Sequence, residues 1–339
     1  MPLATWSHKR SIKIDTHPFR TLKRREFLGL ALGTALKAAN PVMRPAVSEA
    51  VCPVERISPV SQDGYAGLAF MRKPPGKGPF PSVVIIHGGL YTLPEKRIRE
   101  IALDGPPACR FLAAGYVVTA LTYRSRDVDP QDKACLRDCL AVVGYMKRLP
   151  FVDPKSVVIY GCSGGGDLAL EIAAATEVCA ILPEEPATHL LAGIYNTSIP
   201  KKSERYTPAD STIISEDPKR YYTAEFQKLA RAKLARIQCP ILILQGDIQP
   251  INHFNQEVLI PELRALGKRL EVLTYRGEPH CFCFFGEGAQ TPRPDIALKA
   301  FNDMQFFCRR HVRTKPKALD SNLVQLVPVK SPSPSQGAG

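Results

Sequence analysis

Between residues 64 and 312, short apolar runs alternate with longer stretches whose apolar positions recur every three to four residues. The runs at 66–71, 81–86, 116–121, 156–160, 178–182, 240–244 and 270–275 have strand length. All but the first, which is Ala-Gly-Leu-Ala-Phe-Met, are rich in Val, Ile, Leu, Tyr or Thr. The stretches at 132–149, 167–175, 254–266 and 294–312 carry helical periodicity. Strands that are apolar throughout suit a sheet covered on both faces, and helices between them supply the cover. The pattern predicts an α/β fold with a mostly parallel central sheet flanked by helices.

Three segments break that rhythm. Residues 186–238 lie between two strand runs and are rich in Tyr, Lys, Pro and Ser, including Tyr206, Tyr221 and Tyr222. They read as a small lid over the carboxyl edge of the sheet. Residues 313–339 are rich in Pro, Ser, Lys and Gly, with little apolar content beyond 324–327, and are expected to be disordered. Residues 1–50 read as an export signal of twin-arginine type. Arg24 and Arg25 precede the step Phe27-Leu28, and an apolar stretch too short to span a bilayer follows. The expected organisation is therefore a signal over 1–50, a catalytic domain over 51–312 and a tail over 313–339. A periplasmic location follows from the signal.

Charge changes this picture little. The formal charge of +13 is concentrated at the two ends, with +6 in residues 1–50 and +3 in residues 313–339. No basic stripe with interleaved aromatics appears, so no nucleic-acid partner is expected. No run of eighteen apolar residues occurs, so no membrane span is expected. The ten cysteines form neither a metal-ligand spacing nor a disulfide framework, and most read as small buried hydrophobes.

Candidate chemistry gathers where strand runs end. Gly161-Cys162-Ser163-Gly164-Gly165 follows one strand and opens a helix, the context a Gly-x-Ser-x-Gly nucleophile turn requires. Such a turn lifts the Ser163 hydroxyl above the sheet, at the positive end of the following helix. His87-Gly88-Gly89 ends an earlier strand. The backbone N–H groups of Gly88 and Gly89, with that of Gly164, are candidates for an oxyanion hole. His280 stands just past the last strand run, 117 residues after Ser163, and is the candidate base. Three carboxylates are candidates for the acid: Asp247 in the loop after 240–244, then Glu185 and Glu184 at the exit of 178–182.

These pieces resemble the catalytic domain of the prolyl oligopeptidase family of serine peptidases, and more loosely the dienelactone hydrolase-like esterases of the α/β-hydrolase superfamily. The resemblance covers about 64–312. It rests on His87-Gly88-Gly89, Leu121-Thr122-Tyr123-Arg124-Ser125, Gly161-Cys162-Ser163-Gly164-Gly165-Gly166, Leu244-Gln245-Gly246-Asp247 and Gly277-Glu278-Pro279-His280. It implies an α/β-hydrolase fold and a Ser–acid–His order along the chain. It also implies that the acid lies two residues beyond Asp247, where this chain carries Gln249. The expected activity is serine hydrolysis of a small carboxylic ester, or of a short peptide or amide, through an acyl-enzyme and without a cofactor or metal. The alternatives are a peptidase of that family lacking its propeller and a non-catalytic binding protein on the same fold.

Overall fold

A computed structural model describes residues 43–125, 132–194, 208–248, 251–285 and 294–328. The export signal, apart from its last residues, falls outside them, as do Tyr206 and Gln249. The described chain builds one eight-stranded sheet and one two-stranded ribbon. The ribbon pairs β1 (Met43–Ala46) antiparallel with β10 (Gln325–Pro328). The large sheet runs β2 (Glu55–Ile57), β3 (Leu68–Arg72), β5 (Val117–Thr122), β4 (Phe80–Ile86), β6 (Val152–Cys162), β7 (Ala180–Glu184), β8 (Ile241–Gly246) and β9 (Leu270–Tyr275). β2, β3 and β5 pair antiparallel, and every pairing from β5 through β9 is parallel.

The two-residue period of the strands divides the apolar side chains between two layers. Val84 and Ile86 of β4, Val157 and Ile159 of β6, and Ile241 and Ile243 of β8 face one layer. α3 (Ala134–Arg148) and α4 (Gly164–Ala175) cover that layer. Val83 and Ile85, Val158 and Tyr160, and Leu242 and Leu244 face the other. α1 (Glu95–Asp104), α2 (Pro106–Ala113) and α11 (Pro294–His311) cover it. Full burial of each such Val, Leu or Ile contributes about 1.5–3 kcal/mol. The sheet is thus a rigid platform whose carboxyl edge presents the ends of β4, β6, β7, β8 and β9.

Both ends of the described chain differ from expectation. Residues 313–328 were expected to be disordered on composition, yet they lie along the domain. The N–H groups of Arg313 and Thr314 donate to Ser156 Oγ at 2.9 and 3.0 Å, and Thr314 Oγ1 donates to Asp153 Oδ2 at 2.7 Å. Leu319 N donates to Ala113 O at 2.9 Å, and Leu319 and Val324 pack against the second layer. Few apolar side chains suffice because specific polar partners satisfy the backbone. At the other end, the boundary expected at residue 50 falls inside ordered structure. Buried Arg44 pairs with Asp104 at 2.6 Å. Val47 and Cys52 sit in the second layer, and the buried Arg72 guanidinium donates to the carbonyls of Cys52 and Val47.

In the segment expected to be a lid, α5 (Thr188–Ala192), α6 (Pro208–Glu216), α7 (Pro218–Tyr221) and α8 (Ala224–Leu234) are described. α5 is buried along its whole length, and Tyr221 belongs to the first layer. α5 and Tyr221 are therefore packed into the domain, while α8 buries only Ala230 and Leu234. A helical stretch then runs through α9 (Ile251–Phe254), a π-helical turn at Asn255–Leu259 and α10 (Ile260–Ala265).

Candidate active site

β6 and α4 meet with a single residue between them, Ser163, whose backbone sits at φ +51°, ψ −116°. Among the described residues, three that are not glycine have positive φ: Ser163, Glu185 and Cys281, which adjoins His280. Each such conformation costs on the order of 1–3 kcal/mol, so their convergence on one small region marks a site that the surrounding fold holds under strain.

Close backbone packing enforces the Ser163 turn. A Cβ at Gly161 would lie 2.2 Å from Gly165 O, so no larger residue fits there. Ser163 N donates to Glu184 O at 2.9 Å, while Ser163 O accepts from Asp167 N and Ala187 N at 3.0 Å each. The loop after β4 lies directly against this turn. A Cβ at Gly164 would meet Gly89 O at 2.3 Å, and one at Gly88 would meet Ser163 Cβ at 3.3 Å. Gly88, Gly89 and Gly164 therefore surround the Ser163 backbone.

That loop has its own supports. The Tyr123 hydroxyl donates to Gly89 O at 2.8 Å, and its ring stacks on His87 with centroids 4.4 Å apart. His87 is buried and its Nδ1 lies 2.7 Å from Gly88 O, so that nitrogen carries the proton and donates. Burial pulls the His87 pKa down to about 4, which keeps the ring neutral. Thr122 Oγ1, 3.4 Å from His87 Nε2, also accepts from Leu93 N. The following Arg124 forks onto buried Asp138 and reaches Asp63, fixing the strand exit.

His280 follows β9 on a tight loop. Its Nδ1 lies 2.7 Å from Glu185 Oε2, an ion-pair contact whose angle falls short of a well-aligned hydrogen bond. Catalytic contacts often tighten only when substrate binds. The His280 side chain is 31% exposed and that of Glu185 is fully buried. Cys281 N donates to the same Glu185 oxygen. Glu185 Oε1 accepts from Gly246 N at 2.7 Å and from Asn252 Nδ2 at 2.8 Å. The carboxylate is thus fixed by donors from β8, α9 and the His280 loop together.

The other two candidate acids stand elsewhere. Asp247 is exposed, and its Oδ1 accepts from Gly277 N at 2.6 Å, tying the β8 and β9 exits to each other. Glu184 is buried, accepting from Cys283 N at 2.7 Å and from the Tyr160 hydroxyl. Glu185 is the carboxylate that the structure places on His280. The sequence singled out neither Asn252 nor Tyr160. Tyr123 lay within a quoted motif without an assigned role, and Asn252 left no signal because only the fold brings it to Glu185.

Glu185, His280 and Cys281 hold donor atoms within 4.8 Å of one another, the one such group among the described residues. Burial pushes the Cys281 thiol well above its ordinary pKa, and the Glu185 oxygens are already occupied by N–H donors. That chemistry suits a hydrogen-bonded acid better than a metal centre. All ten cysteines are free thiols, and nine of them are buried.

Comparison with solved structures finds the same fold in known esterases. Esterase Est22 is 18% identical over 77% of this chain and 83% of its own, with a TM-score of 0.56. EstE1, a thermophilic carboxylesterase cloned from a metagenomic library, is 16% identical over 80% and 92%, also at 0.56. Carboxyl esterase 2 of the mycorrhizal fungus Tuber melanosporum is 17% identical over 79% and 90%, again at 0.56. Among curated proteins, the quorum-quenching protein AidA of Acinetobacter baumannii (strain MDR-ZJ06) is 30% identical over 128 residues. The match takes in 35% of this chain and spans only 40% of that relative's length. The profile of the prolyl oligopeptidase family matches residues 129–313, more than half of the chain and the part that carries Ser163, Glu185 and His280. The chain belongs to the prolyl oligopeptidase family and has the α/β-hydrolase fold of these esterases.

Proposed function

We propose that Ser163 is the acyl nucleophile, His280 its general base and Glu185 the acid that orients His280, acting on small carboxylic esters. The observation that carries the assignment is the coincidence of backbone strain with chemistry. Among the described residues, the three that are not glycine and have positive φ are the candidate nucleophile, the candidate acid and the neighbour of the candidate base.

In this reading His280 Nε2 takes the Ser163 proton as Oγ attacks the ester carbonyl. Glu185 fixes the ring through Nδ1 and offsets the charge of the imidazolium that forms. Negative charge develops on the carbonyl oxygen. Gly88, Gly89 and Gly164 line the turn beside Ser163, where their N–H groups serve as the oxyanion hole. Collapse of the tetrahedral intermediate expels the alcohol, which takes its proton from His280. Water, deprotonated by the same ring, then releases the acid and frees Ser163. The ester class is supported by the likeness to esterase structures, while peptide and amide cleavage accords equally with the family.

The test combines a fluorophosphonate probe with a substrate panel. Wild-type protein should be labelled, and Ser163→Ala should lose both labelling and turnover by several orders of magnitude. Turnover of p-nitrophenyl esters above dipeptide anilides supports the ester class, and the reverse order supports the peptidase. Labelling that persists in Ser163→Ala overturns the nucleophile.

Export through Arg24-Arg25 belongs to the same reading. The pairing of β1 with β10 and the burial of Arg44 favour a cut ahead of Met43. Mass analysis of the mature protein is the check: an intact Met1 contradicts export with cleavage.

A further inference from the structure

Glu184 reaches all three segments of the site without being part of the proposed triad. Its backbone carbonyl accepts from Ser163 N at 2.9 Å. Its side-chain Oε1 accepts from Cys283 N at 2.7 Å, three residues beyond His280, and Oε2 accepts from the Tyr160 hydroxyl on β6. Its chain neighbour Glu185 takes Cys281 N and His280. Consecutive residues of a regular strand point to opposite faces. The positive φ of Glu185, +44°, breaks that alternation where β7 ends, and both carboxyls reach the same short loop. That loop carries its own strain at Cys281, φ +56°, between the two N–H groups that are held. Two buried carboxyls therefore grip alternate residues of the segment that follows His280.

We propose that Glu184 is a positioning residue of the hydrolase, which by holding Cys283 N fixes the strained Cys281 turn and with it the His280 ring against Glu185. This rests on the Ser163–His280–Glu185 assignment. The proposal accounts for the retention of a second carboxyl, fully buried, in the apolar layer beneath the site, which is costly unless its oxygens are satisfied.

The surroundings also couple Glu184 to the base. The titratable groups facing it are Tyr160 and Cys162 on β6, Glu185 after β7, Tyr275 at the end of β9, and His280, Cys281 and Cys283 in the loop. Burial above all, and the adjacent Glu185, push the Glu184 pKa up to about 7, while the Tyr160 hydroxyl pulls it back. Below that pH Glu184 is neutral, and above it the carboxylate helps to offset the positive charge that His280 acquires in the transition state. Removing the ionisable group while keeping an acceptor oxygen must therefore remove the rise in rate that accompanies Glu184 ionisation near pH 7.

The experiment measures pH profiles of kcat/KM and kcat for wild type, Glu184→Gln and Glu184→Ala on one p-nitrophenyl ester, with Ser163→Ala as the control for the chemistry. Loss of turnover in Ser163→Ala secures the underlying mechanism independently of Glu184. Glu184→Ala frees Cys283 N, and kcat should fall on the order of a hundredfold with little change in KM, as a misplacement of about 1 Å does. Glu184→Gln retains the acceptor; it should lose less than about tenfold and abolish the change in kcat/KM that Glu184 ionisation adds near pH 7. The altered pH profile decides the matter if the alanine variant does not fold. An unchanged profile in Glu184→Gln, or a folded alanine variant with wild-type kcat, overturns the proposal.

Discussion

Ser163 and His280 follow different strands of one sheet and differ in how far their support lies along the chain. The Ser163 turn is fixed by sterics within a few residues of sequence, where the backbone of 161 meets that of 165 so closely that a Cβ cannot enter. The His280 loop meets close packing too, since a Cβ at Gly246 would lie 2.1 Å from Glu278 O, but the turn just past His280 is also tied by side chains. Acceptors almost a hundred residues away hold it: Glu185 takes Cys281 N, and Glu184 takes Cys283 N. The Ser163 turn is thus fixed by shape, and the segment after His280 by shape together with buried hydrogen bonds. Each half should fail under a different kind of substitution.

The largest effect expected on the steric half comes from Gly161→Ala. The added carbon must displace Gly165 and the start of α4, an overlap that costs about 1–3 kcal/mol in a packed interior. Turnover should fall about a hundredfold or more as Oγ moves, and thermal unfolding together with ester kinetics measures both. The same assay on Tyr123→Phe removes the hydroxyl that holds Gly89 O at 2.8 Å. A neutral hydrogen bond is worth about 1 kcal/mol, so kcat should drop roughly fivefold to tenfold, with stability little altered. Asp247→Asn should stay within a few-fold of wild type, because an amide oxygen can still accept from Gly277 N.

The smallest effect is a pH dependence of stability. His87 has a folded pKa of about 4 against an ordinary 6.5, so the folded state binds fewer protons. Its contribution is complete above pH 6.5 and is lost as pH falls toward 4. Glu184 acts in the opposite sense. Its folded value of about 7 lies above the ordinary 4.5, so its contribution is complete below 4.5 and is lost as pH rises through 7. Denaturant titrations from pH 4 to 8 should therefore show a shallower loss on acidification in His87→Gln and a shallower loss on alkalinisation in Glu184→Gln. Unchanged slopes in both would contradict the two burial shifts.

The parts readable from sequence were those written locally. The apolar runs gave the strands from β3 to β9 because a strand covered on both faces shows in its own composition. The Ser163 turn showed in its glycines and its strand–helix context. Features set by distant partners were less visible. β1 and β10 pair across almost the whole chain and are only four residues each. Residues 313–328 have the composition of a tail yet are secured by Ser156 and Asp153. Position alone does not rank the three candidate acids, since two stand at one strand exit and the third lies beside the place that the family uses. Which one meets His280 depends on the backbone twist at Glu185, and no local pattern encodes that φ.

Glu185 on His280 is the central claim, and its most direct test is kcat for one ester measured in Glu185→Gln beside Asp247→Asn. The glutamine keeps the size of the side chain but removes the charge that stabilises the imidazolium, so turnover should fall by about 10³–10⁴-fold while labelling-competent, folded protein remains. Asp247→Asn should remain near wild type. A collapse of activity in Asp247→Asn with Glu185→Gln largely intact would contradict the account.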